Sequence, residues 1–126
     1  MPKQLMREEL KNMDEQQELW MDRIRKLAPV VERAEYEVFK AKADVQKVLA
    51  LLKTEASANG CKTVASQEVW AESQDKLYQA RLKVGVATGF LSSTKLQIDA
   101  LKVGFEEWRT KMVNEREERR RYAVSE

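Results

Sequence analysis

The sequence predicts an all-α protein: one long antiparallel helical hairpin of coiled-coil character, assembled with further copies of itself into a helical-bundle oligomer. Three observations carry this expectation. Glycine and proline together number six among 126 residues, while charged residues make up 35%, a composition that favours a few long helices over a turn-rich fold. Apolar residues recur at alternating steps of four and three in two long stretches, which keeps a narrow seam on one side of a helix. The two stretches also match when folded onto each other about residues 59 to 62.

The first stretch predicts a helix over 3–58. From Met6 the steps land on Leu10, Met13, Gln17, Trp20, Ile24, Leu27, Val31, Ala34, Val38, Ala41, Val45, Val48 and Leu52, of which only Gln17 is polar. Pro29 falls inside the series, where it removes one backbone hydrogen bond and crowds the preceding turn. The register continues across it, so a kink near 28–29 between collinear pieces is expected, with a helix end there as the alternative.

Asn59-Gly60 supplies the left-handed position that closes a helix, which places a turn over 59–63. A second helix is expected over 64–121. Its large seam residues are Trp70, Leu77, Val84, Leu91, Ile98, Phe105 and Met112; three residues after each of the first six come Ser73, Ala80, Ala87, Thr94, Leu101 and Trp108. Gly85 and Gly89 leave two readings open: close approach of another helix, or a break within 85–93 after which Thr94 and Gln97 would form a capping box. If positions summing to 121 or 122 lie opposite each other, Leu52 meets Trp70, Val45 meets Leu77, Val38 meets Val84, Trp20 meets Leu101 and Met13 meets Trp108.

One seam cannot cover every apolar side chain. Tyr36, Phe39, Leu49, Tyr78, Leu82, Val86, Phe90, Leu96 and Val103 fall off it, and self-association is the simplest way to bury them. Leu82, Val86 and Phe90, spaced by four, share one direction and are the expected oligomer interface. A chain folding back on itself at the two glycines is the alternative.

The residues available for chemistry point to binding. Without histidine, the commonest general base and the usual zinc ligand sets are missing, and the 21 carboxylates lie in mixed-charge stretches that read as solvated helix faces. GVATG lacks the lysine and spacing of a phosphate loop. No enzyme, cofactor, metal or small-molecule substrate is expected. The longest apolar run is Val48 to Leu52, far short of the roughly 20 residues a membrane helix needs. MPKQLMREEL lacks the apolar core of a secretory leader, and the lone Cys61 suits a reducing compartment, so a cytoplasmic location is expected. Cys61 reads as an ordinary turn residue.

The net charge of +2 is unevenly spread. Lys40, Lys42, Lys47, Lys53, Lys62, Lys76, Arg81, Lys83, Lys95 and Lys102 all lie in the half of the hairpin nearest the turn, where they are the candidate contacts to a phosphate backbone or another partner. The segment REERRR at 116–121 is a mixed-charge helix end.

The segment Lys83 to Tyr122, with LKVGVATGFLSSTKLQIDALKVGFEEWRT running into NEREERRRY, resembles small helical accessory proteins of tailed-phage replication and recombination gene clusters. In length and helix layout, over most of the chain, it is similar to the phage recombination-mediator family. That resemblance implies a short, helical, oligomeric protein that helps load a recombinase on single-stranded DNA, and it assigns no residue a role. Three functional readings follow: an oligomeric accessory factor contacting single-stranded DNA or a DNA-bound protein; an inhibitor or adaptor that binds a host protein such as a nuclease or defence complex; and a structural scaffold.

Overall fold

The computed structural model describes residues 2–125, with side chains for Gln4 and residues 7–123; Met6, the first member of the predicted seam, lies outside the described side chains. Three helices follow in order, α1 (Pro2–Ala58), α2 (Val64–Glu72) and α3 (Asp75–Ser125), with no strand among the described residues. The chain divides into two compact units. One, the terminal unit, comprises Met1–Pro29 and Lys95–Glu126; the other, the turn unit, is Val30–Thr94.

α1 passes through Pro29 as a single helix. The proline sits on the exposed side of α1, so the carbonyl of Arg25, which loses its usual N–H donor, is open to solvent. A helix end at this position, one of the two readings above, is thereby corrected. α1 closes where the sequence predicts. Gly60 takes a φ of 93°, and the Cys61 and Gly60 amides donate to Ala56 and Ser57 at 3.0 and 3.3 Å, the paired bonds of a glycine-terminated helix end. Thr63 then caps α2: its Oγ1 accepts from the Ser66 amide at 3.1 Å while the Ser66 hydroxyl accepts from the Thr63 amide at 3.2 Å.

The second arm differs from expectation at one point. It breaks at Ser73–Gln74, between α2 and α3, and not at 85–93. The local chemistry accounts for the break. The Trp70 carbonyl, which a continuing helix would offer to the Gln74 amide, accepts from the Ser73 hydroxyl at 2.6 Å and from the Gln74 side-chain amide at 3.3 Å, and the Gln74 amide turns to Ala71. Short polar side chains that capture backbone groups compete with the helix in this way. Thr94 caps nothing; it is buried within α3 and its hydroxyl donates to the Phe90 carbonyl at 2.9 Å. Gly85 and Gly89 lie in unbroken helix with open space where a side chain would go, so neither close packing within the chain nor a break occurs there. The alternative in which the chain folds back at these glycines falls with it.

In the turn unit α1 packs antiparallel to the second arm. Leu52, Ala71 and Leu77 form the buried cluster, with Val45, Val48, Leu49 and Trp70 packed around it. Apart from Ala71, which follows Trp70, and Leu49, which lies beside the seam, these are the predicted seam residues at the predicted levels. Ala34, Ala56, Ala80 and Thr94 are also buried here, small side chains where the helices come close.

In the terminal unit α1 also runs antiparallel to α3, and the large side chains meet partners about one turn from those expected. Trp20 lies against Gly104, where a Cβ would stand 2.9 Å from the ring, not at the level of Leu101. Trp108 donates from Nε1 to Gln16 Oε1 at 2.8 Å, beyond Met13. Helical side chains lean one turn toward the N-terminus of their own helix, and in antiparallel helices the two leans displace both contacts in the same sense. Each indole thereby covers the neighbouring turn. Arg119 and Glu9 pair by the same lean. Among the described residues of this unit none is fully buried, so two helices alone leave its seam half covered.

Candidate interaction surface

The heptad geometry of the turn unit divides its predicted basic residues between two flanks. Counting from the seam, Lys42, Lys53 and Arg81 fall on one side and Lys40, Lys47, Lys76 and Lys83 on the other; Lys62 lies in the turn. Lys95 and Lys102 belong to the terminal unit, where Lys102 stands beside Glu106 and Glu107 along α3. The ten residues therefore do not form one continuous cationic surface.

The Lys42 flank carries the better-formed site. Phe39, Lys42, Ala43, Val45, Gln46, Arg81 and Val84 line an open cleft of ≈ 540 Å³ between α1 and α3. Val45 and Val84 are half-buried and make an apolar floor, and Phe39 stands 72% exposed at the rim. Lys42 is exposed, four residues before Gln46 on the same face. Arg81 enters from α3 and is held by Glu72 of α2 through two hydrogen bonds, Nη1 to Oε2 and Nη2 to Oε1, the latter at 2.7 Å. The Arg81 guanidinium holds the Glu72 carboxyl below its usual range, chiefly through the hydrogen bond it donates, and Glu72 raises Arg81 in turn. Farther along this flank Leu49, Lys53, Ala65, Glu68, Val69 and Glu72 line a second depression, where Lys53 pairs with Glu68 at 3.8 Å. Two of the three cations on this flank thus have a carboxylate partner, and Lys42 has no ion pair within 4.0 Å among the described residues.

Large apolar residues remain uncovered in the same unit. Tyr36, Leu51, Val64, Val69, Tyr78, Leu82, Val86 and Phe90 are all exposed. Leu82, Val86 and Phe90 lie on the side of α3 turned away from its seam. Phe39 and Lys42 stand three residues apart on α1 and are neighbours by helical spacing alone.

In the terminal unit a cleft of ≈ 610 Å³ lies between the helix ends. Leu10, Met13 and Met112 give it an apolar lining, and Arg116, Arg119 and Arg120 stand with Glu9 and Glu115 around it. Trp20 carries Arg23 over its ring, 5.5 Å from the centroid, and Phe105 stacks on Trp108 at 6.1 Å.

No group of three or more metal-ligating side chains occurs among the described residues, and no helix is long and apolar enough to cross a membrane. Comparison with protein-family models, curated proteins and solved structures finds no match.

Proposed function

We propose that this chain is a non-catalytic helical binding protein, an accessory factor of DNA metabolism that assembles with copies of itself and contacts single-stranded DNA or a DNA-bound protein through the Lys42 flank of the turn unit. The observation that carries the contact is the Phe39 cleft: an exposed aromatic ring beside a lysine without an ion-pair partner, over an apolar floor. Exposed rings accept stacked bases at about 1–3 kcal/mol each, whatever the base, while cations track the phosphates. The experiment is a titration with labelled single strands at two salt concentrations. Affinity falls as salt rises, because each neutralised phosphate releases counterions. Phe39→Ala weakens binding about tenfold or more, by the stacking energy above. Absence of binding at low salt rejects the DNA contact.

Self-association draws its support from the exposed apolar positions of α3. Phe90→Asp is expected to dissociate the assembly with helix content retained, whereas Val84→Asp puts a charge into the seam and unfolds the turn unit. Light scattering beside circular dichroism separates the two. A Phe90→Asp protein that unfolds as Val84→Asp does would make this face internal core.

The exposed Val64 and Val69 on α2 favour a second reading, in which the chain is an inhibitor or adaptor that grips a protein through apolar helix faces. A pull-down with and without nuclease decides: a partner retained after nucleic acid is removed favours this reading, and one lost favours the first.

A further inference from the structure

α2 carries two charges, and both are carboxylates: Glu68 and Glu72 in VASQEVWAE. Four residues apart, they stand on one side of the helix. Each takes a cation of the flank that holds the Phe39 cleft, and the two cations come from different helices. Glu68 pairs with Lys53 of α1, and Glu72 with Arg81 of α3. Lys53, Glu68 and Glu72 line one depression together, while Arg81 also lines the Phe39 cleft. Of the three cations on this flank, α2 leaves only Lys42 to an outside anion.

A carboxylate that accepts both prongs of a guanidinium occupies the positions that two phosphate oxygens would take. Glu72 does this to Arg81, through Nη1 to Oε2 and Nη2 to Oε1. Glu68 gives Lys53 the point-charge equivalent at 3.8 Å. We infer that α2 is an internal phosphate mimic: Glu68 and Glu72 hold Lys53 and Arg81 in reserve, and the backbone of a single strand seated at Phe39 and Lys42 displaces them. The inference rests on the single-strand contact proposed above and gives that contact a built-in competitor.

The displacement is a side-chain exchange, because both pairs lie in the open. Glu72, Arg81 and Glu68 are about half exposed and Lys53 about a third. Ion pairs so exposed are weakly held. A strand anchored at the cleft presents its neighbouring phosphates at high effective concentration, which a free anion in solution does not match. The two carboxylates therefore yield to a polyanion and still exclude isolated anions.

The test compares two paired substitutions in the full chain, Glu68→Gln with Glu72→Gln and Glu68→Asp with Glu72→Asp. A labelled single-stranded oligothymidylate at low salt is the probe, and circular dichroism checks that helicity is unchanged. The Gln pair removes both negative charges; the Asp pair keeps them and withdraws each from its cation by one methylene. Relative to the wild type, the Gln pair is expected to bind about tenfold more tightly and the Asp pair about threefold, from two exposed ion pairs that the strand no longer has to break. Wild-type affinity in either pair overturns the mimic: in the Gln pair because nothing was being displaced, and in the Asp pair because the gain then follows net charge alone. The single-strand contact stands in both cases. If the wild type and both variants fail to bind, contact and mimic fall together. Binding by the variants alone supports the mimic, as a complete mask in the wild type.

Discussion

Leu77→Ala is expected to destabilise the protein by about 3 kcal/mol, within the range for emptying a fully buried leucine site. Leu77 is 1% exposed, the largest side chain so completely enclosed, and it stands with Leu52 and Ala71 at the centre of the turn unit. Its neighbours are held on two sides by helix ends: α1 closes at Gly60 and α2 opens at the Thr63 cap. The surroundings therefore have little freedom to collapse into the space left, and a cavity term adds to the lost transfer energy. Urea denaturation followed by circular dichroism measures the cost. Leu51→Ala is the control, since Leu51 lies one position from Leu52 but is exposed, and a change within about 0.5 kcal/mol is expected there. A cost below about 1 kcal/mol at Leu77 would mean that the Leu52, Ala71 and Leu77 cluster is not the core of the unit.

Gly104→Leu is expected to cost about 2 kcal/mol, as overpacking does, and to alter tryptophan fluorescence. A Cβ at this position meets Trp20 Cη2 at 2.9 Å and Cζ3 at 3.1 Å, so the indole must swing off the helix it covers. Its displacement also disturbs the Arg23 guanidinium stacked over the ring. Gly85→Ala provides the opposite sign. Its Cβ points into open space, and replacing a helical glycine by alanine gains about 1 kcal/mol of helix propensity. Thermal unfolding of the two variants separates the roles of the two glycines. Equal stabilisation at both positions would mean that Trp20 does not rest on Gly104.

The seam is legible in the sequence because it is a periodic signal repeated over many turns, so that no single residue decides it. Folding the arms about residues 59 to 62 is legible for the same reason, and the Leu52 and Val45 levels against Trp70 and Leu77 follow from it. The tryptophan contacts are not. Opposition counted by residue number locates Cα atoms, whereas a long side chain is found one turn back along its helix, which is why Trp20 covers Gly104 and Trp108 reaches Gln16. The break at Ser73–Gln74 escapes a reading that weighs breakers by backbone freedom, as Gly85 and Gly89 invite. Ser73 and Gln74 end the helix through their side chains, and the count from Trp70 to Leu77 runs through the interruption unchanged. The signal that could have found it is the Ser-Gln-Asp run itself, with Asp75 placed to open a new helix. Of the candidate contacts, the basic residues are visible in the sequence, but not their division between two flanks, nor the carboxylates that occupy Arg81 and Lys53. Phe39 and Lys42, three apart on α1, are neighbours by helical spacing alone, whereas the cleft that Arg81 and Val84 of α3 close beside them appears only once α1 and α3 are set side by side.

The break between α2 and α3 also determines where the molecule opens first. In an uninterrupted helix, Glu72 and Arg81 would stand two and a half turns apart on opposite sides, roughly 13 Å along the axis; their double hydrogen bond exists because the helix stops between them. α2 has nine residues, fewer than the roughly 12–15 an isolated helix needs to persist in water. It is held by the Thr63 cap, by the buried Ala71 and by the exposed ion pairs of Glu72 with Arg81 and Glu68 with Lys53. Amide hydrogens of residues 64–72 should therefore exchange through a local opening well before those of α1 beside them, and faster still in high salt, which screens these charges. In energetic terms α2 is a separate cooperative segment, able to detach and redock while the longer helices remain paired.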